Sequence, residues 1–314
     1  MSSLTVPAVS PSPLEDAVKL HQAFKGFGCG KGQVISVLAH RNATQRALIQ
    51  QEYKTTYSDD LMERLAAKLS CGLKKAVLLW MHDPAERDAE ILREALSGFI
   101  DMKAVIEVIC SRAPSQIQQL KQFYHSKFGD LEQDIECKAS GASKELLQAY
   151  IRKTHYEGPE VDRMLAAKDA DALFNAGEKE SGTEAKPFIQ IFSERSRAQL
   201  AATNLLYHNM YGISLKQAIK KGTSRKFQFA LLTILRCAEN PSKYFAKALY
   251  KTMKGFGTDE KTLTRIVVTR TENDMQLIKA EYQKKFKKTL VDAVYSDTSC
   301  HYRTFLLSLL DPDQ

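Results

Sequence analysis

Apolar side chains return at helical intervals along most of the chain. Near the C-terminus Leu263, Ile266 and Val267 stand at i, i+3 and i+4, and Met275, Ile278 and Tyr282 repeat that stride one helix later. Four further apolar helical stretches run through 73–81, 145–151, 227–235 and 302–310. Prolines at 84, 159 and 241 fall just after the first three of these stretches, where they stop one helix or open the next. Period-2 alternation is nearly absent. The pattern predicts an all-α protein made of small bundles of short helices.

The bundles are copies of one another. Arg41, Arg112, Arg195 and Arg270 serve as anchors, each preceded four residues earlier by Val37, Val108, Ile191 or Ile266. Four residues after the anchors stand Gln45, Gln116, Gln199 and Asp274. Twelve after stand Tyr53, Tyr124, Tyr207 and Tyr282, and sixteen after stand Tyr57, Phe128, Tyr211 and Phe286. Such agreement at independent offsets defines a fourfold repeat. The implied division is a tail at 1–13 and repeats at 14–82, 83–156, 157–239 and 240–314. The aromatics at the last two offsets lie four apart on one helix face and are expected to pack the core. The anchor arginines, near a helix junction, are expected to make helix-terminus or inter-repeat ion pairs.

Composition narrows the setting. In 314 residues, 45 Lys and Arg against 37 Asp and Glu leave a net charge of +8, which favours acidic partners such as nucleic acid or an anionic membrane leaflet. No apolar run is long enough to span a bilayer, and the N-terminus lacks the pattern of a secretory leader, so a cytosolic chain is expected. Six cysteines without a Cys-x-x-Cys pair read as reduced thiols rather than a zinc or thioredoxin-type motif.

One loop carries chemistry. Met253-Lys254-Gly255-Phe256-Gly257-Thr258-Asp259-Glu260 holds two glycines that permit tight turns with carbonyls facing outward, and Thr258 reads as the N-cap of the next helix. Forty residues beyond Gly257 stands Asp297, at the expected start of the last helix. A hard cation such as Ca²⁺ takes six to eight oxygens, commonly carbonyls with a carboxylate. The carbonyls of Met253, Gly255 and Gly257 with Asp297 would supply part of that shell. A plain helix–turn–helix linker fits the same residues, and on spacing alone is the simpler reading.

Lys254-Gly255-x-Gly257-Thr258 followed by Asp297 closely resembles the endonexin-type calcium signature of annexins, and the fourfold repeat matches the annexin core over nearly the whole chain. Val6-Pro7, the run His40-Arg41-Asn42-Ala43-Thr44-Gln45-Arg46 and the run Asp83-Pro84-Ala85-Glu86-Arg87-Asp88 resemble plant annexins. The resemblance implies five helices per repeat, a curved disc, and a cytoplasmic protein that docks on anionic phospholipid membranes when calcium rises. It makes Met253, Gly255, Gly257 and Asp297 the Ca²⁺ ligands. Lys25 and Lys254 beside the loops, and Phe27 and Phe256 between their glycines, would be membrane contacts, against the plainer reading that the rings are buried on their own bundles.

The other repeats depart from the signature. Repeat I keeps the glycines in Phe24-Lys25-Gly26-Phe27-Gly28, but Cys29-Gly30-Lys31 follows and Lys68 takes the acid position. Repeat II has Ser97-Gly98-Phe99-Ile100 with Lys138, and repeat III keeps Gly177 and Gly182-Thr183 but has Gly222. One complete calcium site is expected, in repeat IV. The alternatives are largely calcium-independent basic adhesion and a weak peroxidase-type enzyme. The latter rests on the resemblance of His40 to a residue linked with peroxidase activity in plant annexins. Ser111, Glu194 and Thr269 at the matching positions favour structural hydrogen bonding, so no enzyme is expected. Cys110 and Cys237 resemble paired cysteines suggested to act in redox chemistry, with burial as the plainer reading. Asp88, Arg112 and Arg270 match charges lining a conductance path in the family, and structural ion pairing between repeats is preferred. Actin association comes with the resemblance, but no segment carries it. The lysines at 284, 285, 287 and 288 suit a solvated face, and no nucleic-acid signature accompanies them. Oligomeric state is left open.

Overall fold

The computed structural model describes residues 1–4, 6–7, 12–25, 29–153, 156–177 and 184–311. Among them are twenty helices and no strand, five helices to each repeat. Repeat I comprises α1 Pro13–Phe24, α2 Lys31–Leu38, α3 Ala43–Tyr57, α4 Leu61–Lys68 and α5 Cys71–Met81. Repeat II comprises α6 Pro84–Ala95, α7 Met102–Ser111, α8 Pro114–Phe128, α9 Leu131–Lys138 and α10 Gly141–Arg152. Repeat III comprises α11 Arg163–Gly177, α12 Ala185–Glu194, α13 Arg197–Tyr211, α14 Leu215–Gly222 and α15 Arg225–Glu239. Repeat IV comprises α16 Pro241–Thr252, α17 Glu260–Arg270, α18 Met275–Phe286, α19 Leu290–Asp297 and α20 Cys300–Leu310. No helix among the described residues is long and apolar enough to cross a membrane.

The chain forms two compact units. One joins Met1–Arg87 to Phe245–Gln314, and the other is Asp88–Tyr244. In the first, α5 packs on α17 and α20, and α2 packs on α20. Its centre is Trp80, fully buried, donating from Nε1 to Leu38 O at 2.8 Å. The Arg46 guanidinium lies 3.8 Å over the Trp80 ring. Burial pulls Arg46 down to about 10, against the opposing pull of Glu272, whose carboxylate it meets at 3.1 Å. Residues 1–4 belong to this unit as well: Ser3 Oγ donates to Leu309 O at 2.7 Å and Ser2 Oγ to Thr271 O at 2.8 Å. In the second unit α7 packs on α15, and α10 on α12 and α15. Cys110 and Cys237 are both buried there.

The repeat columns have physical meanings. The residues at −4 are buried, and so are all four tyrosines at +12. The aromatics at +16 are only half-buried. Three of them stack face to face on a ring from the first helix of the repeat: His21 on Tyr57 at 3.8 Å, Phe174 on Tyr211 at 3.8 Å, Tyr250 on Phe286 at 3.9 Å. In repeat II, Arg93 takes the stacking place, 5.7 Å from the Phe128 ring. At +4, Gln45 and Gln116 accept from the Asn42 and Ala113 N–H groups, both at 2.9 Å, closing the first turns of α3 and α8.

The anchor arginines form ion pairs near helix ends within their own repeats. Arg41 meets Asp16 at 2.6 and 2.9 Å, Arg112 meets Asp88 at 2.5 and 2.7 Å, and Arg195 meets Asp169 at 2.6 and 2.9 Å. Each pair ties the chain just past the second helix, one residue beyond it for Arg112 and Arg195 and three for Arg41, to the first helix. Repeat IV has Phe245 at the matching first-helix position. Arg270 there lies 4.6 Å over the Phe245 ring and pairs with Asp274, one turn ahead. These buried charges hold helices of one repeat together: the pairing expected between repeats for Asp88, Arg112 and Arg270 is found within repeats, Arg112 with Asp88 and Arg270 with Asp274.

Candidate functional site

In each repeat the loop between the first and second helices closes with one backbone bond. Gly30 N donates to Ala23 O at 2.8 Å; Asp101 N to Ala95 O, Glu184 N to Ala176 O and Asp259 N to Thr252 O do so at 2.9 Å. That bond fixes where the loop starts and ends, leaving the residues between to turn as their composition allows. In repeat IV the turn uses Gly255 at φ +116° and Gly257 at φ +81°, both in the left-handed half of the map where a side chain is strained. A Cβ at either would meet nothing within 4 Å, so the glycines serve backbone conformation rather than close packing.

Asp259, not Thr258, caps α17, accepting from Thr262 N at 3.0 Å. Thr258 has another task. Its hydroxyl lies 2.7 Å from Asp297 O and 2.5 Å from Asp297 Oδ2, so it tethers the end of α19 to the glycine loop. Asp297 closes α19 rather than opening α20. The run Asp297-Thr298-Ser299 offers three N-cap residue types in a row, and the chain uses Ser299 for α20. The helix boundary moves, and one oxygen of the Asp297 carboxylate is held by the Thr258 hydroxyl. Among the described residues no hydrogen bond is donated to the carbonyls of Met253, Gly255 or Gly257. Asp297 also acts at a distance on Tyr282: burial, then Tyr250, then the Asp297 charge push that phenol up to about 12.

The flanking residues divide. Phe256 is fully exposed at the loop tip, 113% of its reference area, so it is not packed on its bundle. Lys254 is exposed with Nζ 5.8 Å from the Tyr250 ring. Lys25 is exposed at the end of α1. Phe27 lies outside the described residues, as do Gly26, Gly28, Gly182 and Thr183.

The four fourth helices are all eight residues long, and they end at Lys68, Lys138, Gly222 and Asp297. In repeat I the Lys68 charge reaches the loop: burial raises the Cys29 thiol above its ordinary value, while Lys31 and Lys68 pull it back. A cation therefore stands beside that loop where repeat IV has its carboxylate. His40 is half-buried, and its carbonyl accepts from Arg41 at 2.9 Å. The Thr258 tether is the contact at the candidate site that sequence reading missed. Its signal was present: with Asp259 able to cap α17, Thr258 was free for another partner.

This fold of twenty short helices in four repeats, with a glycine loop and an acid on the next-to-last helix, defines a class. The annexin family model matches the chain at residues 15–80, 87–150, 168–234 and 244–309. The chain belongs to the annexin family, whose members bind calcium and phospholipid as peripheral membrane proteins. It is 53% identical to annexin D5 of Arabidopsis thaliana over 315 residues, covering 100% of both chains. Among solved structures it matches a mutant of annexin A8 that has an intact N-terminus, with a TM-score of 0.95 at 34% identity, covering 100% of this chain and 99% of that one. It also matches calcium-bound annexin (Sm)1 with a TM-score of 0.85 at 25% identity, covering 99% of this chain and 93% of that one.

Proposed function

We propose that this chain docks on anionic phospholipid membranes through Ca²⁺ held in repeat IV by the carbonyls of Met253, Gly255 and Gly257 and by Asp297. The supporting observation is the Thr258 tether, which ties Asp297 to the glycine loop whose Met253, Gly255 and Gly257 carbonyls accept no hydrogen bond among the described residues. All the donors are hard oxygens, with two glycines removing steric cover, which suits Ca²⁺ and leaves positions for oxygens from outside. When bound, the ion would supply the positive charge that a lipid phosphate needs, and this chain's part is to hold it at the surface. A calcium-bound structure exists for annexin (Sm)1, which supports the same chemistry here.

Repeats I to III would not contribute equivalent sites. Lys68 and Lys138 put a positive group where the ion needs a carboxylate, and two unit charges about 4 Å apart repel by about 4 kcal/mol in a surface environment. Gly222 offers no side-chain oxygen. Membrane contact would be shared by Lys25 and Lys254, each adding about 1 kcal/mol near an anionic surface. Phe256 suits the headgroup region because it already stands clear of the protein; Phe27 is assigned the matching place in repeat I from sequence. The chain would then be cytoplasmic and move to membranes as calcium rises, with no catalytic step.

Vesicle sedimentation over a calcium series, with neutral and anionic lipids, tests this. Asp297→Ala is expected to lose most calcium-dependent retention while staying helical. Retention with the wild-type calcium dependence would remove Asp297 from the site.

A further inference from the structure

Repeat III differs from repeat IV at the junction between its fourth and fifth helices in more than a missing acid. Lys220 and Lys221 end α14 beside Gly222, and Arg225 and Lys226 open α15. All four are exposed, and among the described residues none of them meets a carboxylate. Lys216, one turn earlier, is paired with Glu239. Between Glu194 and Glu239 the sequence contains no aspartate or glutamate at all, so no acid within the segment offsets the cluster. Ser224 caps α15 without a side-chain bond, so the first-turn N–H groups gain no acceptor from it and add their partial positive charge.

We propose that this junction, 220–226, is a metal-independent receptor for phosphomonoester lipid headgroups. Four cations within seven residues exceed what one phosphodiester, with its single charge, neutralises. A phosphomonoester carries about −1.5 to −2 at neutral pH and three acceptor oxygens, and Arg225 can grip two of them at once. The lipid is favoured over nucleic acid by place. The junction occupies in repeat III the position that the end of α19 and start of α20 occupy in repeat IV, where Asp297 is assigned to membrane docking. The proposal therefore rests on the membrane reading but not on calcium: repeat III supplies directly, as ammonium and guanidinium, the charge that repeat IV would obtain from an ion.

The test is sedimentation of the full chain in EGTA. One set of phosphatidylcholine vesicles contains phosphatidic acid or a monophosphorylated phosphoinositide; the other contains phosphatidylserine at matched total charge. The wild type is expected to prefer the phosphomonoester vesicles. Replacing Lys220, Lys221, Arg225 and Lys226 together by glutamine is expected to weaken that binding more than a hundredfold, at roughly fivefold per cation near an anionic surface. The increment on phosphatidylserine when calcium is added should remain, which also reports that the variant is folded. A control replaces Lys284, Lys285, Lys287 and Lys288 by glutamine, the same change in net charge on exposed side chains of repeat IV. Equal loss in both variants would reduce the effect to net charge and overturn the site. So would absence of wild-type preference between the two vesicle sets, or a cluster variant whose losses appear on duplex DNA but not on vesicles. Asp297→Ala in the same EGTA assay should bind like wild type, so failure of the calcium reading and failure of this one give different results.

Discussion

Repeats I and IV lie in the same compact unit and share a backbone design, yet they carry opposite charge at the loop. Gly30 N to Ala23 O and Lys31 N to Cys29 O, at 2.8 and 2.7 Å, are matched by Asp259 N to Thr252 O and Glu260 N to Thr258 O, both at 2.9 Å. The side chains at the same places invert: Lys31 against Glu260, Lys68 against Asp297. The anchors differ as well. Arg41 is held by a buried carboxylate from the first helix, whereas Arg270 has a ring there and a carboxylate from the next turn. The helical frame is fixed by buried residues and loop-closing amides, neither of which depends on what the exposed loop positions carry. A repeat can therefore lose or reverse its site without losing its fold.

The largest expected effect lies at the anchors. Asp16→Ala leaves the Arg41 guanidinium, 4% exposed, with the His40 carbonyl and no carboxylate. Removing one partner of a buried pair costs about 3–5 kcal/mol. Phe245→Leu keeps the Arg270–Asp274 pair and loses only ring volume and the cation–π contact, about 1–2 kcal/mol. Urea unfolding followed by the fluorescence of Trp80, the chain's one tryptophan and a residue of this unit, would rank the two. Equal losses would mean that the first-helix carboxylate is not what distinguishes the anchors.

These anchors also show what the sequence disclosed. Arginine, glutamine and tyrosine recur at fixed offsets because they sit on one helix or across one short junction, so the repeat was visible directly. Their partners Asp16, Asp88 and Asp169 are 25, 24 and 26 residues upstream, across a loop whose length varies, and the drifting offset hid them. Without those partners, helix-terminus pairing and pairing between repeats could not be told apart. Asp297 was singled out by spacing but given to the wrong helix, because three adjacent cap-type residues cannot be ranked by propensity alone. The Thr258 tether escaped notice for a related reason: it joins residues 39 apart, and only the fold brings them together.

A smaller effect is expected from making repeat I resemble repeat IV. Lys68→Asp removes the cation that reaches the Cys29 loop and puts a carboxylate at the end of α4. The loop-closing bonds are already in place, so a second calcium-responsive loop is expected, with half-maximal vesicle retention reached at severalfold lower calcium. Retention curves identical to wild type would show that Cys29, Gly30 and Lys31 prevent the site even when the acid is restored.

The smallest effect distinguishes the rings stacked on the outer aromatics. Repeat III uses Phe174 and repeat IV uses Tyr250, but repeat I uses His21, stacked on Tyr57 with Nδ1 3.2 Å from the Tyr53 hydroxyl. Burial, then the charges of Lys25 and Arg64, hold the imidazole below its ordinary value of 6.5, with Asp59 opposing. The folded protein thus binds this proton less readily than the unfolded chain does. Its contribution is fully present above about pH 6.5 and is lost as the pH falls from there through the lower folded value. Because the ring is only half-buried, solvent screening keeps the change small. His21→Phe, which copies repeat III, should flatten the part of the stability profile between about pH 7.5 and the acid side of that window, as measured by thermal melts on wild type and variant in parallel. If both proteins lose stability by the same amount over that interval, the proton is going elsewhere, and the histidine is only another flat ring on Tyr57.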